Sequence, residues 1–141
     1  MQMRNYFKYF LLVICSSLLI ISCAPEDNTT ATPTDVRDKW IGTYTCEETE
    51  NASNVTTFDI SIRKNTATTD GLIISNFYNI GSQYNLNATL SGTSISINQQ
   101  TINGFTITGS GTTSGATKMN FNYSVQAGGN TSTCTAVATL Q

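Results

Sequence analysis

The sequence predicts an all-β domain over residues 35–141, an eight-stranded antiparallel up-and-down (meander) barrel. Three observations predict it. Apolar residues recur two apart through most of the domain, the spacing of half-buried strands. No stretch keeps a helical period beyond one turn at Asp35 to Lys39. The strands are short and joined by brief turns, with no long crossover, which favours a meander.

The strands follow in order. The first runs from Trp40 to Cys46, with Trp40, Gly42, Tyr44 and Cys46 on one face. Phe58, Ile60 and Ile62 carry the second, with Asp59, Ser61 and Arg63 facing out. The third is Leu72 to Phe77, and the fourth holds Tyr84, Leu86, Ala88 and Leu90. Ser91-Gly92 then forms a tight hairpin, since glycine adopts the backbone such turns require. Ile95 and Ile97 carry the fifth strand, and Phe105 and Ile107 the sixth. Met119, Phe121, Tyr123 and Val125 mark the inner face of the seventh, and after "AGGN" the eighth runs from Ser132 to Leu140. Eight such strands can stay open, with two unpaired edges, or close on themselves and lose both.

Composition removes several chemistries. The chain has no histidine, so imidazole bases, imidazole metal ligands and histidine-based triads are excluded. Net charge is −2, and no basic footprint for nucleic acid is present. Acidic residues end at Asp70, and Lys118 is the only charged residue from Gly71 onward. Glu47, Glu48 and Glu50 cluster before "NASN" and read as a solvated acidic loop, the alternative being a calcium site built from clustered oxygens. "GSGTTSG" at 109–115 lacks the lysine and the helix of a phosphate loop. No nucleophile, base and orienting group assemble from these residues, so no enzyme, cofactor or metal is expected.

The N-terminus sets the compartment. Arg4 and Lys8 precede an apolar run of about 13 residues, Tyr9 to Ile21, too short to span a bilayer and suited to a signal peptide over residues 1–22. Its end, Ile20-Ile21-Ser22-Cys23, resembles a lipobox. That resemblance implies a diacylglycerol on Cys23 and an acylated amine, and two or more acyl chains anchor a protein stably to membrane. Residues 23–34, with "APEDNTTATPT", are too polar to order themselves and read as a tether. Ala24 is not the aspartate that retains lipoproteins on the inner membrane, and Glu26 and Asp27 are similar to an acidic surface-export signal. The expected location is the outer membrane, on its periplasmic or cell-surface face.

An exported chain oxidises its thiols. Cys15 leaves with the signal and Cys23 carries lipid, so Cys46 and Cys134 remain. A metal site lacks further soft ligands and a nucleophile lacks its imidazole, so a disulfide is expected. Pairing the first and last strands with the cysteines opposite places Tyr44 against Ala136, Gly42 against Ala138 and Trp40 against Leu140. The bridge then shuts the barrel.

"DVRDKWIGTYTC", "ISNFYNIGSQYNLNATLSGTSISINQQ" and "GFTITGSGTTSGATKMNFNYSV" resemble small Bacteroidetes-type lipoproteins with a calycin-like barrel. Trp-x-Gly-x-Tyr is also similar to the first strand of lipocalins, which implies that Trp40 plugs one barrel end. The lipocalin arginine that lies over this tryptophan is missing from the last strand, and Arg37 is the expected substitute. Phe77, Tyr78 and Tyr84 flank the turn "NIGSQ" and are expected to cap the core at one barrel end, the alternative being a candidate binding mouth or docking patch. The many large inward side chains imply a packed interior or a small apolar pocket. A non-enzymatic binding module for a partner protein or a small apolar ligand follows. The alternative is an inhibitor of host lytic enzymes: lysozyme inhibitors share the Tyr-x-Cys start (Tyr44-Thr45-Cys46), although Lys118 stands where their Ser-Gly-x-x-Tyr loop has tyrosine.

Overall fold

A computed structural model describes residues 34–141. The expected signal peptide, the expected lipidation site Cys23 and nearly all of the expected tether lie outside the described residues. Eight strands form a closed antiparallel barrel in sequence order. They are β1 (Gly42–Glu50), β2 (Asn54–Lys64), β3 (Gly71–Ser75), β4 (Asn85–Ser91), β5 (Ser94–Ile102), β6 (Phe105–Ser114), β7 (Lys118–Ala127) and β8 (Asn130–Leu140). Two 3-10 turns, Asp38–Trp40 and Phe77–Asn79, sit at opposite ends of the barrel.

Alternation decides which side chains fill it. Ile60 and Ile62 of β2, Leu86, Ala88 and Leu90 of β4, and Met119, Phe121, Tyr123 and Val125 of β7 all point inward and are buried. Phe58, Tyr84 and Phe105, also expected inside, are half-buried at the rims. The interior is a continuous packed core, with Trp40, Tyr44, Phe77 and Phe121 its largest fully buried side chains. Two of its positions are glycines that the sequence pattern did not mark as core. β6 continues through Gly109 and Gly111, which lie opposite Tyr123 and Phe121. A Cβ on Gly111 would come within 2.7 Å of the Phe121 ring, and one on Gly109 would strike the Tyr123 backbone. Glycine in a strand interior marks such close approach.

The first strand begins later and runs further than alternation suggests. Trp40 belongs to a 3-10 turn, β1 starts at Gly42, and the strand continues through the glutamates to Glu50. Gly42 has φ 152°, and a Cβ there would lie 2.8 Å from Leu140 Cδ1. Only glycine both tolerates that backbone and admits the last strand so closely.

Closure also has a different register from the expected one. Tyr44 pairs with Leu140, Cys46 with Ala138, Glu48 with Ala136 and Glu50 with Cys134. Cys46 and Cys134 are therefore four residues apart along the seam, about 13 Å of strand rise. A disulfide joins Cα atoms within about 7 Å, so this register does not bring the two thiols together. Both are buried as free cysteines on the inner face. The physical reason is stagger: closing a barrel requires strands to tilt and slip in register, and Trp40 in its turn takes no part in pairing. The seam is held instead by seven backbone-paired positions. Asn51 N–H to Thr133 O (2.8 Å) extends it at one end, and Gln141 N–H to Thr43 O (3.0 Å) at the other.

Trp40 does fill one end, at 1% exposure, with Tyr44 Oη donating to its carbonyl at 3.2 Å. Its cation is not the expected one: Lys39 Nζ lies over the ring at 5.1 Å. Arg37 is buried beside it and works differently. Its Nη1 donates to the carbonyls of Asn65 (3.0 Å), Thr68 (2.8 Å) and Gly71 (2.9 Å), which fixes the β2–β3 turn. Asp35 accepts from Arg37 Nη2 at 2.7 Å and from Lys64 Nζ at 3.1 Å. These donors, Arg37 first, hold the Asp35 carboxyl well below the usual carboxylate range.

Candidate functional site

The opposite end gathers most of the polar chemistry inside the barrel. β1 carries it there by parity: Tyr44, Cys46 and Glu48 share the inner face, so continuing the strand drives a carboxyl group into the core. Glu48 is 4% exposed. Its neighbour across the seam is Ala136, which in turn faces Phe121, while Cys134 separates Glu50 from Tyr123. These two small residues of β8 leave room for the Tyr123 hydroxyl to reach over the strand and donate to Glu48 Oε2. Burial first, and then the charge of Glu50, raise Glu48 from 4.5 to about 7.

A lid covers this carboxyl. The β3–β4 connection places Phe77 inside, with its ring edge-on to Phe121 (5.4 Å) and tilted against Tyr123 (4.7 Å). Tyr78 stacks edge-on with Phe105 (5.5 Å) and Tyr123 (6.3 Å), and its hydroxyl donates to Glu50 Oε1 at 3.1 Å. Burial and the Glu50 carboxylate raise the Tyr78 phenol to about 12. The turn that presents these rings is strained, because Asn76, Tyr78 and Asn79 all have positive φ, at 61°, 56° and 53°. Asparagine tolerates that region, whereas an aromatic residue there costs on the order of 1 kcal/mol or more. Asn76 holds the turn shut, donating from Nδ2 to Asp59 O (2.7 Å) and accepting from Gly81 N–H (2.8 Å).

Of the candidate mouth residues, Phe77 is a core residue at 1% exposure and lines no opening. Tyr78 is half-buried and forms the lid. Tyr84 is half-buried but stacks on no aromatic ring among the described residues. Its part is in the backbone, donating to Gly81 O (3.1 Å) and accepting from Asn76 N–H (3.3 Å). Phe77 and Tyr78 cap the core, whereas Tyr84 is not packed against it.

The acidic loop is likewise a strand. Glu47 points out, Glu48 points in and Glu50 lies at the rim, so the three carboxylates diverge. Among the described residues no group of three or more Cys, Asp or Glu converges on a cation position. Burial, and then the charge of Glu48, raise both thiols to about 12. Cys46 and Cys134 are thus protonated and unreactive in the folded barrel. The enclosed carboxyl and the glycines facing the rings escaped the pattern reading. One signal for Glu48 was present: "YTCEE" continues the inward parity of Tyr44 and Cys46 unbroken.

These features define a small meander barrel whose interior is filled by side chains, with a single carboxyl sealed beneath an aromatic lid. No family model matches the chain, and no curated protein matches it. Among solved structures it is similar to a redesigned beta barrel, with a TM-score of 0.57 and 12% identity. The match covers 76% of this chain and 96% of that one, and the likeness is one of fold.

Proposed function

We propose that this protein is a lipid-anchored envelope lipoprotein, tethered through Cys23 at the outer membrane, whose lipocalin-like barrel serves as a non-enzymatic binding module. One observation carries the choice between its two versions. Rings and aliphatic side chains fill the interior, and Phe77 closes the mouth. An apolar guest would have to displace packed core, at several kcal/mol for each large side chain moved. The reading therefore takes a partner on the outer surface and sets aside an apolar ligand inside. The lipobox-like Ile20-Ile21-Ser22-Cys23 supports the anchor, and the Trp40 plug before Gly42 supports the lipocalin-like assignment. A Cys46–Cys134 bridge forms no part of this reading.

The test is capture from detergent-solubilised envelope with the full chain as bait, followed by reconstitution from purified components. A partner that binds the wild-type barrel and stays membrane-associated only when Cys23 is intact supports the reading. Fatty acid or another apolar molecule carried within the purified barrel would overturn it. The inhibitor alternative is settled by a lysozyme assay, where undiminished lysis at excess protein removes it.

A further inference from the structure

The outer wall of the barrel carries a cleft, and its origin is a fault in one strand pair. β4 and β5 run together for only three residue pairs, from Thr89 with Ser96 to Ser91 with Ser94. Past them a bulge in β5 between Ile97 and Gln100 turns both Asn98 and Gln99 outward. The bulge lies in the ladder of β5 with β6, and a bulge bends the strand that carries it. The gap is spanned by a side chain in place of a ladder. Gln100 Nε2 donates to the carbonyls of Asn87 (2.7 Å) and Asn98 (3.1 Å), and Asn87 N–H donates to Gln100 Oε1 (2.9 Å).

The result is an open concavity of about 330 Å³, whose far wall is the β2–β3 turn with Asn65, Thr68 and Asp70. That wall is fixed from beneath by Arg37, through the three carbonyl contacts described above. Its floor is Gly71, where a Cβ would strike Thr68 and Asn65. Gln100 and the turn are thus held before any ligand arrives, which lowers the ordering cost of binding.

The chemistry of the lining selects a ligand class. Besides the small Gly71 and Ala88 it consists of amides, hydroxyls and one carboxylate, with no basic and no aromatic side chain. An anion finds no cation there, and an apolar group would strip water from amides without replacing its hydrogen bonds. Each amide offers two donors and an acceptor, and a carboxylate only accepts. Neighbouring hydroxyl groups, each able to donate and accept, complement that mixture. The volume is at the small end for ligand sites, suited to one sugar ring or two.

We propose that the β4–β5 cleft binds a neutral saccharide. This rests on the binding-module reading and adds to it a ligand class and a place on the barrel. The side chains of Asp70 and Asn98 make no hydrogen bond within the described residues, so removing either leaves the hydrogen-bonded frame of the cleft intact.

The test is an amide-resolved NMR titration of the full chain with glucose, galactose, N-acetylglucosamine and a disaccharide of each. Shifts should concentrate at Asn65, Asp70, Asn87, Asn98 and Gln100. Asp70→Ala and Asn98→Ala should each weaken binding about ten-fold or more, one lost hydrogen bond to a sugar hydroxyl and its unpaired partner, at unchanged melting temperature. Lys118→Ala, at the start of β7, should leave binding unaltered. The proposal is overturned if no sugar shifts these residues at tens of millimolar, if both substitutions leave binding intact, or if an extended Ser/Asn-rich peptide occupies the cleft instead. Those failures beside a captured protein partner would leave the binding-module reading standing. Saccharide binding with no captured protein would keep the cleft and remove the protein partner.

Discussion

Glu48 turns the polar end of this barrel into a measurable quantity. Its carboxyl titrates near 4.5 when unfolded and at about 7 in the barrel. Because the folded-state value is raised, the folded protein binds the proton more tightly than the unfolded chain does. Stability from this group is therefore complete below about pH 4.5, falls as pH rises toward 7, and stays low above that. The interval between the two values corresponds to about 3 kcal/mol, at 1.36 kcal/mol per pH unit. For a domain of this size that is about 10 °C or more in melting temperature. The window is unusually clean. No histidine exists to titrate in it, and the thiols of Cys46 and Cys134 lie far above it when folded.

The assay is urea denaturation between pH 5 and 8, followed by the fluorescence of Trp40, the single tryptophan. Wild type should lose stability across that range. Glu48→Gln keeps the shape and an acceptor for the Tyr123 hydroxyl while removing the titration. It should flatten the profile, come within about 1 kcal/mol of wild type near pH 5, and exceed it by up to about 3 kcal/mol at pH 8. A wild-type profile that is already flat, or a variant that follows wild type at both ends, would refute the claim that an ionisable carboxyl is sealed under the lid.

Three other outcomes follow from the packing. Gly111→Ala drives a methyl group into the Phe121 ring and should destabilise by about 1–3 kcal/mol, the usual cost of overpacking, in the same denaturation assay. Arg37→Met leaves the carbonyls of Asn65, Thr68 and Gly71 without their donor, so it should lower the melting temperature well below that of a Lys118→Ala control, and equal values would contradict its anchoring role. Iodoacetamide followed by peptide mass spectrometry should label neither Cys46 nor Cys134 in the folded barrel and both after unfolding, whereas a linked Cys46–Cys134 peptide would show that the seam adopts another register.

How much of this was legible in the residues depends on the range over which each feature is decided. Strand identity and inner face are local, and the alternation of Met119, Phe121, Tyr123 and Val125 sufficed to assign both. Register is not local. Whether Cys46 meets Cys134 or Ala138 depends on how far eight tilted strands slip before the last reaches the first, and no window of the sequence contains that sum. The turn that takes Trp40 out of β1 starts the strand two residues later, at Gly42. What the sequence leaves open for Phe77 and Tyr78 is the conformation of the turn that carries them. Their positions depend on left-handed backbone at Asn76, Tyr78 and Asn79, which the surrounding core imposes on a tyrosine that would not choose it. Gly109 and Gly111 carry no alternation signal, because a glycine has no side chain to mark a face. Here that absence is space for two rings contributed by the neighbouring strand.

The same reasoning explains how backbone pairing closes the barrel across its seam. An open eight-stranded meander would leave β1 and β8 with unpaired backbone along their outer edges, an aggregation hazard. Closure converts that edge into seven paired positions. Residues at each end of the seam lengthen it. Asn51 Oδ1 accepts from Thr133 N–H at 3.0 Å, and Gln141 Nε2 donates to Thr45 Oγ1 (3.0 Å) and Asp59 Oδ1 (2.8 Å). With both cysteines inside, small residues of β8 serve packing instead of cross-linking: Cys134 and Ala136 stand between β1 and β7 and let Tyr123 reach Glu48. Enlarging Ala136 would therefore act twice, crowding the core and parting the hydroxyl from the carboxyl. Ala136→Val should lower stability at every pH and also change the midpoint of the pH profile, a pairing of effects that a purely steric site would not produce.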